Sequence, residues 1–177
     1  YQLVMTNYLV LTIIGDDKPG LVESLSQIIA ENSGNWLESS MSQLDGKFAG
    51  ILRVSVADQA VDKLISELES LSGDLKIIVE KAGIAEGRDH ENIIINSIEL
   101  SVVGNDRSGI VREISHALAS LSVSVEKLST QCIAAPMSGE ILFKASAQLK
   151  IPSSLDLDEL QSVLEEIADD LIVELLS

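Results

Sequence analysis

Apolar positions along this chain change their spacing in a fixed order. Tyr8 to Ile14 (YLVLTII) is a β-branched apolar run of the kind that fills a buried strand. From about Pro19 to Asn32 the apolar residues Leu21, Val22, Leu25, Ile28 and Ile29 fall three or four apart, which predicts an amphipathic helix. Ser33-Gly34-Asn35 ends it, with Gly34 expected in the left-handed cap conformation. WLESSMSQL and FAGILRVSV then read as two strands joined by Asp45-Gly46, a two-residue hairpin signal. Phe48, Gly50, Leu52, Val54 and Val56 share one face of the second. Asp58 is placed to cap a second helix striped by Val61, Leu64, Ile65, Leu68 and Leu71. Ser72-Gly73-Asp74 stops that helix, and LKIIVEK forms the last strand. The order is βαββαβ.

The same order then runs again. IIGDDKPGLVESL, after the first strand, returns as VVGNDRSGIVREI, so that Gly15 becomes Gly104, Asp17 Asp106, Gly20 Gly109 and Val22 Val111. One constant offset across a whole segment marks an internal repeat. The face of the first helix repeats as Ile110, Val111, Ile114, Ala117, Leu118 and Leu121. The second hairpin loop is longer, with Pro136 and Gly139. The last helix carries a capping box, Asp156 with Glu159, and a stripe of Leu157, Leu160, Val163, Leu164 and Ile167. The expected organisation is a first domain over 6–81, a polar linker over 82–92 (AGIAEGRDHEN) and a second domain over 93–177. Two right-handed βαβ crossovers sharing one antiparallel sheet place both helices of a unit on one face. The fold class is α+β, two ferredoxin-like units. Each open sheet face needs cover, and units of about 85 residues are small for a self-sufficient core, so pairing between units or chains and a homo-oligomer are expected.

Composition narrows the partners. Hydrophobic residues make up 46% of the 177, with Val, Ile and Leu doing most of the filling. Net charge is −16, from 28 acidic and 12 basic residues. The acidity is spread: residues 1–85 carry 12 acids and 6 bases, and residues 93–177 carry 13 and 5. Duplex nucleic acid and anionic membrane both repel such a surface, and no basic run offsets it. Direct nucleic-acid binding and membrane binding are therefore not expected. Cys132 is the single cysteine, which excludes an intrachain disulfide and a cysteine metal cage; its apolar flanks predict a small buried thiol. No secretory signal or run of about 20 apolar residues is seen, and a soluble, cytoplasmic protein is expected.

The glycine loop between first strand and first helix is where chemistry concentrates. The free N–H groups and positive dipole end of a helix point into such a loop. Glycine lets a ligand or another backbone come close. A carboxylate can sit on the amides near Lys18 to Leu21, or near Arg107 to Ile110, while Asp17 or Asp106 receives an ammonium group. An amino acid has one of each. The structural alternative is that Asp17 caps the helix, Pro19 occupies its first position and Gly20 permits close packing. Phosphate fits poorly, because GDDKPG lacks the GxxxxGK[ST] and GxGxxG spacings and adjacent aspartates oppose it.

The chain from about Tyr8 to Leu176 resembles the tandem ACT-domain proteins, and within them the branch that represses the glycine cleavage system. The resemblance rests on the strand, the motif G-[DN]-D-[KR]-[PS]-G-[LI]-V, the helix, and the hairpin NWLESSMSQLDGKFAGILRVSV with Glu38 two residues beyond Trp36. It implies a sensor of small molecules, usually amino acids, with the ligand near the loop glycine. The positions it points to are Gly15, Asp17, Lys18, Pro19, Gly20 and Leu21, with Gly104, Asp106, Arg107, Ser108, Gly109 and Ile110 in the second copy. Asn105 and Ser108 replace Asp16 and Pro19, so the copies need not bind equally. The resemblance also implies glycine as effector, no cofactor, and a protein partner such as a LysR-type activator.

Little other chemistry is present. His116 lies on the polar side of its helix and His90 in the linker, both read as solvated surface. Trp36 reads as core or interface, and Asp169-Asp170 as a solvent-facing end to the last helix. Glu38 and Lys127 occupy equivalent positions with opposite charge. Neither a nucleophile-base set nor a metal-ligand pair is visible, so no enzyme activity and no metal are expected. A regulator acting on another protein is the leading class. A regulatory subunit of an amino-acid biosynthetic enzyme is the alternative, separated from it by what copurifies; an enzyme in its own right is the third.

Overall fold

The computed structural model describes residues 5–71, 73, 75–82 and 95–177. The chain divides into two compact units, Tyr1–Arg88 and Asp89–Ser177. Of the expected linker, only Ala82 falls among the described residues, as the end of a strand.

In the first unit, strand β1 (Thr6–Asp16) leads to helix α1 (Leu21–Glu31), the hairpin β2 (Asn35–Leu44) and β3 (Lys47–Ala57), helix α2 (Val61–Glu69) and strand β4 (Leu75–Ala82). The second unit repeats this with β5 (Ile95–Asn105), α3 (Ile110–Ser120), β6 (Ser124–Ala134), β7 (Ile141–Pro152), α4 (Leu157–Glu165) and β8 (Ile172–Leu176). The sheets run β2-β3-β1-β4 and β6-β7-β5-β8, and every neighbouring pair is antiparallel. This is the ferredoxin-like order that two split βαβ crossovers produce.

Alternation along the strands sets the cores. Leu9, Leu11 and Ile13 of β1 and Leu52, Val54 and Val56 of β3 are buried with Leu25 and Ile29 of α1 and Leu64 and Leu68 of α2. The second core sets Ile98, Leu100 and Val102 against Ile114, Leu118, Leu160 and Leu164. The opposite sheet face of the first unit stays open, with Ile14, Ile51 and Ile78 exposed.

The Asp45-Gly46 hairpin forms as expected: Leu44 pairs with Lys47, and both turn residues have the positive φ (50° and 76°) of a type I′ turn. Edge strands β2 and β6 carry a bulge at the same place, between Trp36 and Glu38 and between Val125 and Lys127. The repeat thus extends to backbone irregularity. Trp36 is half-buried against the first core.

Four local expectations are corrected. The left-handed residue after α1 is Ser33 (φ 55°), not Gly34; a side chain on Gly34 would meet Ile29, so that glycine serves close packing. Asp58 does not cap α2; it begins a short 3-10 turn and accepts a hydrogen bond from the Asn7 side chain at 2.9 Å. Cys132 is exposed, because β6 is an edge strand with almost all its side chains in solvent. The first helix begins at Leu21 rather than Pro19. Asp156 does cap α4, accepting from the Asp158 N–H at 3.0 Å.

Candidate functional site

In both units the loop leaves the end of a central strand and turns into a helix through a glycine. Gly20 (φ 89°, ψ 0°) and Gly109 (φ 86°, ψ 2°) stand immediately before α1 and α3, and no side chain caps either helix. The structural alternative for Asp17 and Pro19 is therefore corrected: Asp17 makes no cap, and Pro19 lies in the turn ahead of the helix. Only glycine holds this left-handed backbone without strain. A Cβ built on either glycine would have no protein atom within 4 Å, so neither glycine exists for packing against the chain. Space stands open in front of both helices.

The loops are anchored from the hairpin side. The Asp17 N–H donates to the Gly46 carbonyl at 2.9 Å, and the Asp106 N–H donates to the Ile141 carbonyl at 2.9 Å. This fixes each loop against the start of the third strand of its unit. Asp16, Asp17, Lys18, Pro19 and Gly20 are exposed, Gly15 is half-buried and Leu21 is buried in the core. In the second unit Asn105 to Gly109 are exposed, while Gly104 and Ile110 are buried. Leu21 and Ile110 thus offer backbone rather than side chain to the loop. Gly104 has a packing reason of its own, since a Cβ there would fall 2.5 Å from Leu171 Cδ2.

The electrostatics of the two loops differ. Asp16 pairs with Lys47, whose ammonium group holds the Asp16 carboxyl below the usual carboxylate range by hydrogen bond and charge. Asp17 makes no side-chain hydrogen bond or ion pair among the described residues, and its carboxylate faces solvent. Asp106, its equivalent, lies near the Cys132 thiol; loss of hydration and then the Asp106 charge push that thiol up. Arg107 pairs with Glu113, which lowers the Glu113 carboxyl and raises the guanidinium. Asp170 is more than a helix end: its carboxylate accepts from the Asn105 N–H at 2.8 Å.

The cavities gather only part of the expected set. A shallow pocket of about 360 Å³ beside the first loop draws on Gly15, Asp16, Lys47 and Lys76, but not on Asp17 to Leu21. A groove of about 780 Å³ in the second unit touches Ser108 and Gly109 and then runs between α3 and α4 past Arg112 and His116. Lys47, Cys132, Glu113 and Asp170 stand beside the loops without having been assigned there from the sequence. Lys47 was within reach of it, because a two-residue turn after Leu44 sets Lys47 opposite Asp16 once the hairpin folds back along the first strand. Glu113 reaches back from the first turn of α3 to Arg107, while Cys132 and Asp170 meet the loop only through tertiary packing. Among the described residues no three His, Cys, Asp or Glu side chains converge as a metal site, and no helix is long and apolar enough to cross a membrane.

These features can be set beside known proteins. The ACT domain family model matches residues 7–81. UPF0237 proteins of Methanocaldococcus jannaschii (32% identical over 84 residues, 48% of this chain and 88% of the relative) and Methanopyrus kandleri (38% over 72 residues, 40% and 80%) are similar to a length of about one unit. The crystal structure of an unknown protein from Galdieria sulphuraria aligns with a TM-score of 0.83 at 27% identity, covering 97% of this chain and 98% of that one. A candidate glycine cleavage system transcriptional repressor aligns with a TM-score of 0.68 at 17% identity over 98% and 99%, a likeness of fold. With one unit matched by the family model, a second unit of the same topology, and the same glycine turn opening α1 and α3, the chain belongs to the ACT-domain family as a tandem of two units.

Proposed function

We propose that this protein is an amino-acid-sensing regulator, without catalytic activity of its own, that acts by binding another protein. The observation that carries the reading is the pair of glycine turns. Each presents a helix N-terminus, an adjacent aspartate and open space, which together suit the carboxylate and ammonium groups of one small ligand. The ligand-contacting residues in this reading are Gly15, Asp17, Lys18, Pro19, Gly20 and Leu21, and Gly104, Asp106, Arg107, Ser108, Gly109 and Ile110.

The fold shared with a candidate glycine cleavage repressor supports glycine as the effector and transcription as the output. A net charge of −16 argues that the output passes through a protein, such as a LysR-type activator, and not through DNA contact. Glycine has about five heavy atoms, and a ceiling of about −1.5 kcal/mol per atom limits binding to about −7.5 kcal/mol. That is a dissociation constant of a few micromolar at best, which suits sensing of an abundant metabolite. To switch a complex, glycine must bind the free and complexed forms unequally.

The test is a thermal-shift screen across the amino acids, since a ligand that binds only the folded state raises the melting temperature. Alongside it runs a pull-down of the candidate activator with and without millimolar glycine. Stabilisation by glycine with release of the activator is the expected pair of results. Indifference to every amino acid contradicts the reading, as does tight binding of the isolated protein to promoter DNA at physiological salt. Copurification of a biosynthetic enzyme in place of an activator would favour a regulatory subunit.

A further inference from the structure

Asn32, at the carboxyl end of α1, is the most buried polar side chain described in the first unit, at 5% exposure. Its Nδ2 donates twice, to the Ile28 carbonyl at 2.8 Å and across to Glu67 Oε2 on α2 at 2.6 Å. Its Oδ1 is buried with no partner. A buried acceptor left unmade costs stability, so this contact is a poor way to hold two helices if holding were its purpose alone. The second unit shows the apolar solution. Leu121 stands at the position of Asn32 and Val163 at that of Glu67, both packed against the second core.

We propose that the Asn32–Glu67 contact is a releasable latch between α1 and α2, which marks the first unit as the one whose helix pair moves. The latch sits at the opposite end of α1 from Gly20, so a displacement of the helix at its loop end is felt at Asn32 as a rigid-body shift. A directional hydrogen bond to a carboxylate has an on state and an off state, whereas the apolar packing of Leu121 and Val163 against the second core tolerates small slides. Only the coupling of the latch to ligand rests on the reading of the loop as an amino-acid site; the latch itself does not.

The experiment is native-state hydrogen exchange and thermal unfolding on the full chain, comparing wild type with Glu67→Gln and with the double variant Asn32→Leu/Glu67→Val. Replacing the polar pair by the residues of the second unit is expected to slow exchange of the amides at the end of α1 about tenfold, with no fall in melting temperature. Glu67→Gln, which keeps shape and loses charge, is expected to speed the same amides several-fold in a folded protein. Faster exchange, a lower melting temperature or failure to fold in the double variant would overturn the latch, because the polar pair would then be a net support. Unchanged exchange in Glu67→Gln would overturn it too. Glycine serves as the ligand probe, and its stabilising effect is expected to shrink in the double variant. A latch that behaves as described in a protein indifferent to all amino acids leaves the latch standing and rejects the sensing function.

Discussion

Gly20 and Gly109 have positive φ, and no protein atom lies within 4 Å of where a side-chain methyl would stand, so backbone conformation alone constrains them. Alanine at either site is expected to cost about 1–2 kcal/mol through strain, with the fold intact. Gly50 is the contrast: a Cβ there falls 2.4 Å from the Ser40 carbonyl oxygen and 2.6 Å from Met41 Cγ, so Gly50→Ala must push the hairpin strands apart. Its expected cost is larger, about 3 kcal/mol. Urea denaturation of the three variants checks the order. Asp16 supplies a pH prediction. Its carboxyl is held low in the folded state by Lys47, so the pair adds stability above the ordinary carboxylate pKa of about 3.9. That contribution is lost as pH falls through the lower folded value. In Lys47→Met the Asp16 midpoint is expected to rise toward the ordinary value, read by NMR titration of the side-chain carbonyl.

At the scale of elements, caps discriminate between residues that look alike in sequence. Asp156 accepts from the Asp158 N–H at the start of α4, and its replacement by alanine is expected to cost about 1 kcal/mol. Asp58 looks equivalent but bonds Asn7 at the exposed start of β1, so Asp58→Ala is expected to cost under about 0.5 kcal/mol. Thermal unfolding of the pair decides it. The strands and helices were legible because apolar spacing is dictated by burial: the Leu9, Leu11, Ile13 alternation and the Leu21, Leu25, Ile29 stripe point into the core that forms. Ends were less legible. Pro19 and Asp17 carry strong helix-start preferences, yet the turn through Gly20 takes the chain past both before the first helical hydrogen bond, from the Ser24 N–H to the Gly20 carbonyl. Ser33 takes the left-handed position because the bond that closes the helix end runs from the Gly34 N–H to the Ile29 carbonyl, which puts Ser33 just before it. Cys132 looks buried from its apolar neighbours, but it stands on β6, where nearly every side chain is in solvent.

At the scale of the whole molecule, the repeat of topology, turn geometry and bulge position gives two frames that agree in backbone and differ in side-chain partners. The loop residues were legible as a motif. What surrounds them was less so, because Lys47 arrives by hairpin pairing and Cys132 and Asp170 by tertiary contact. The acidity of both halves makes DNA a poor partner, so a gel shift with promoter DNA is expected to stay blank at physiological salt. The central claim is that a small amino acid binds at the glycine turns. Backbone amide NMR during a glycine titration tests it most directly. Saturable shifts are expected at Asp17 to Leu21, at Asp106 to Ile110, or at both, in the micromolar to millimolar range. Shifts confined to other surfaces, or a spectrum unchanged by glycine and every other amino acid, would contradict it.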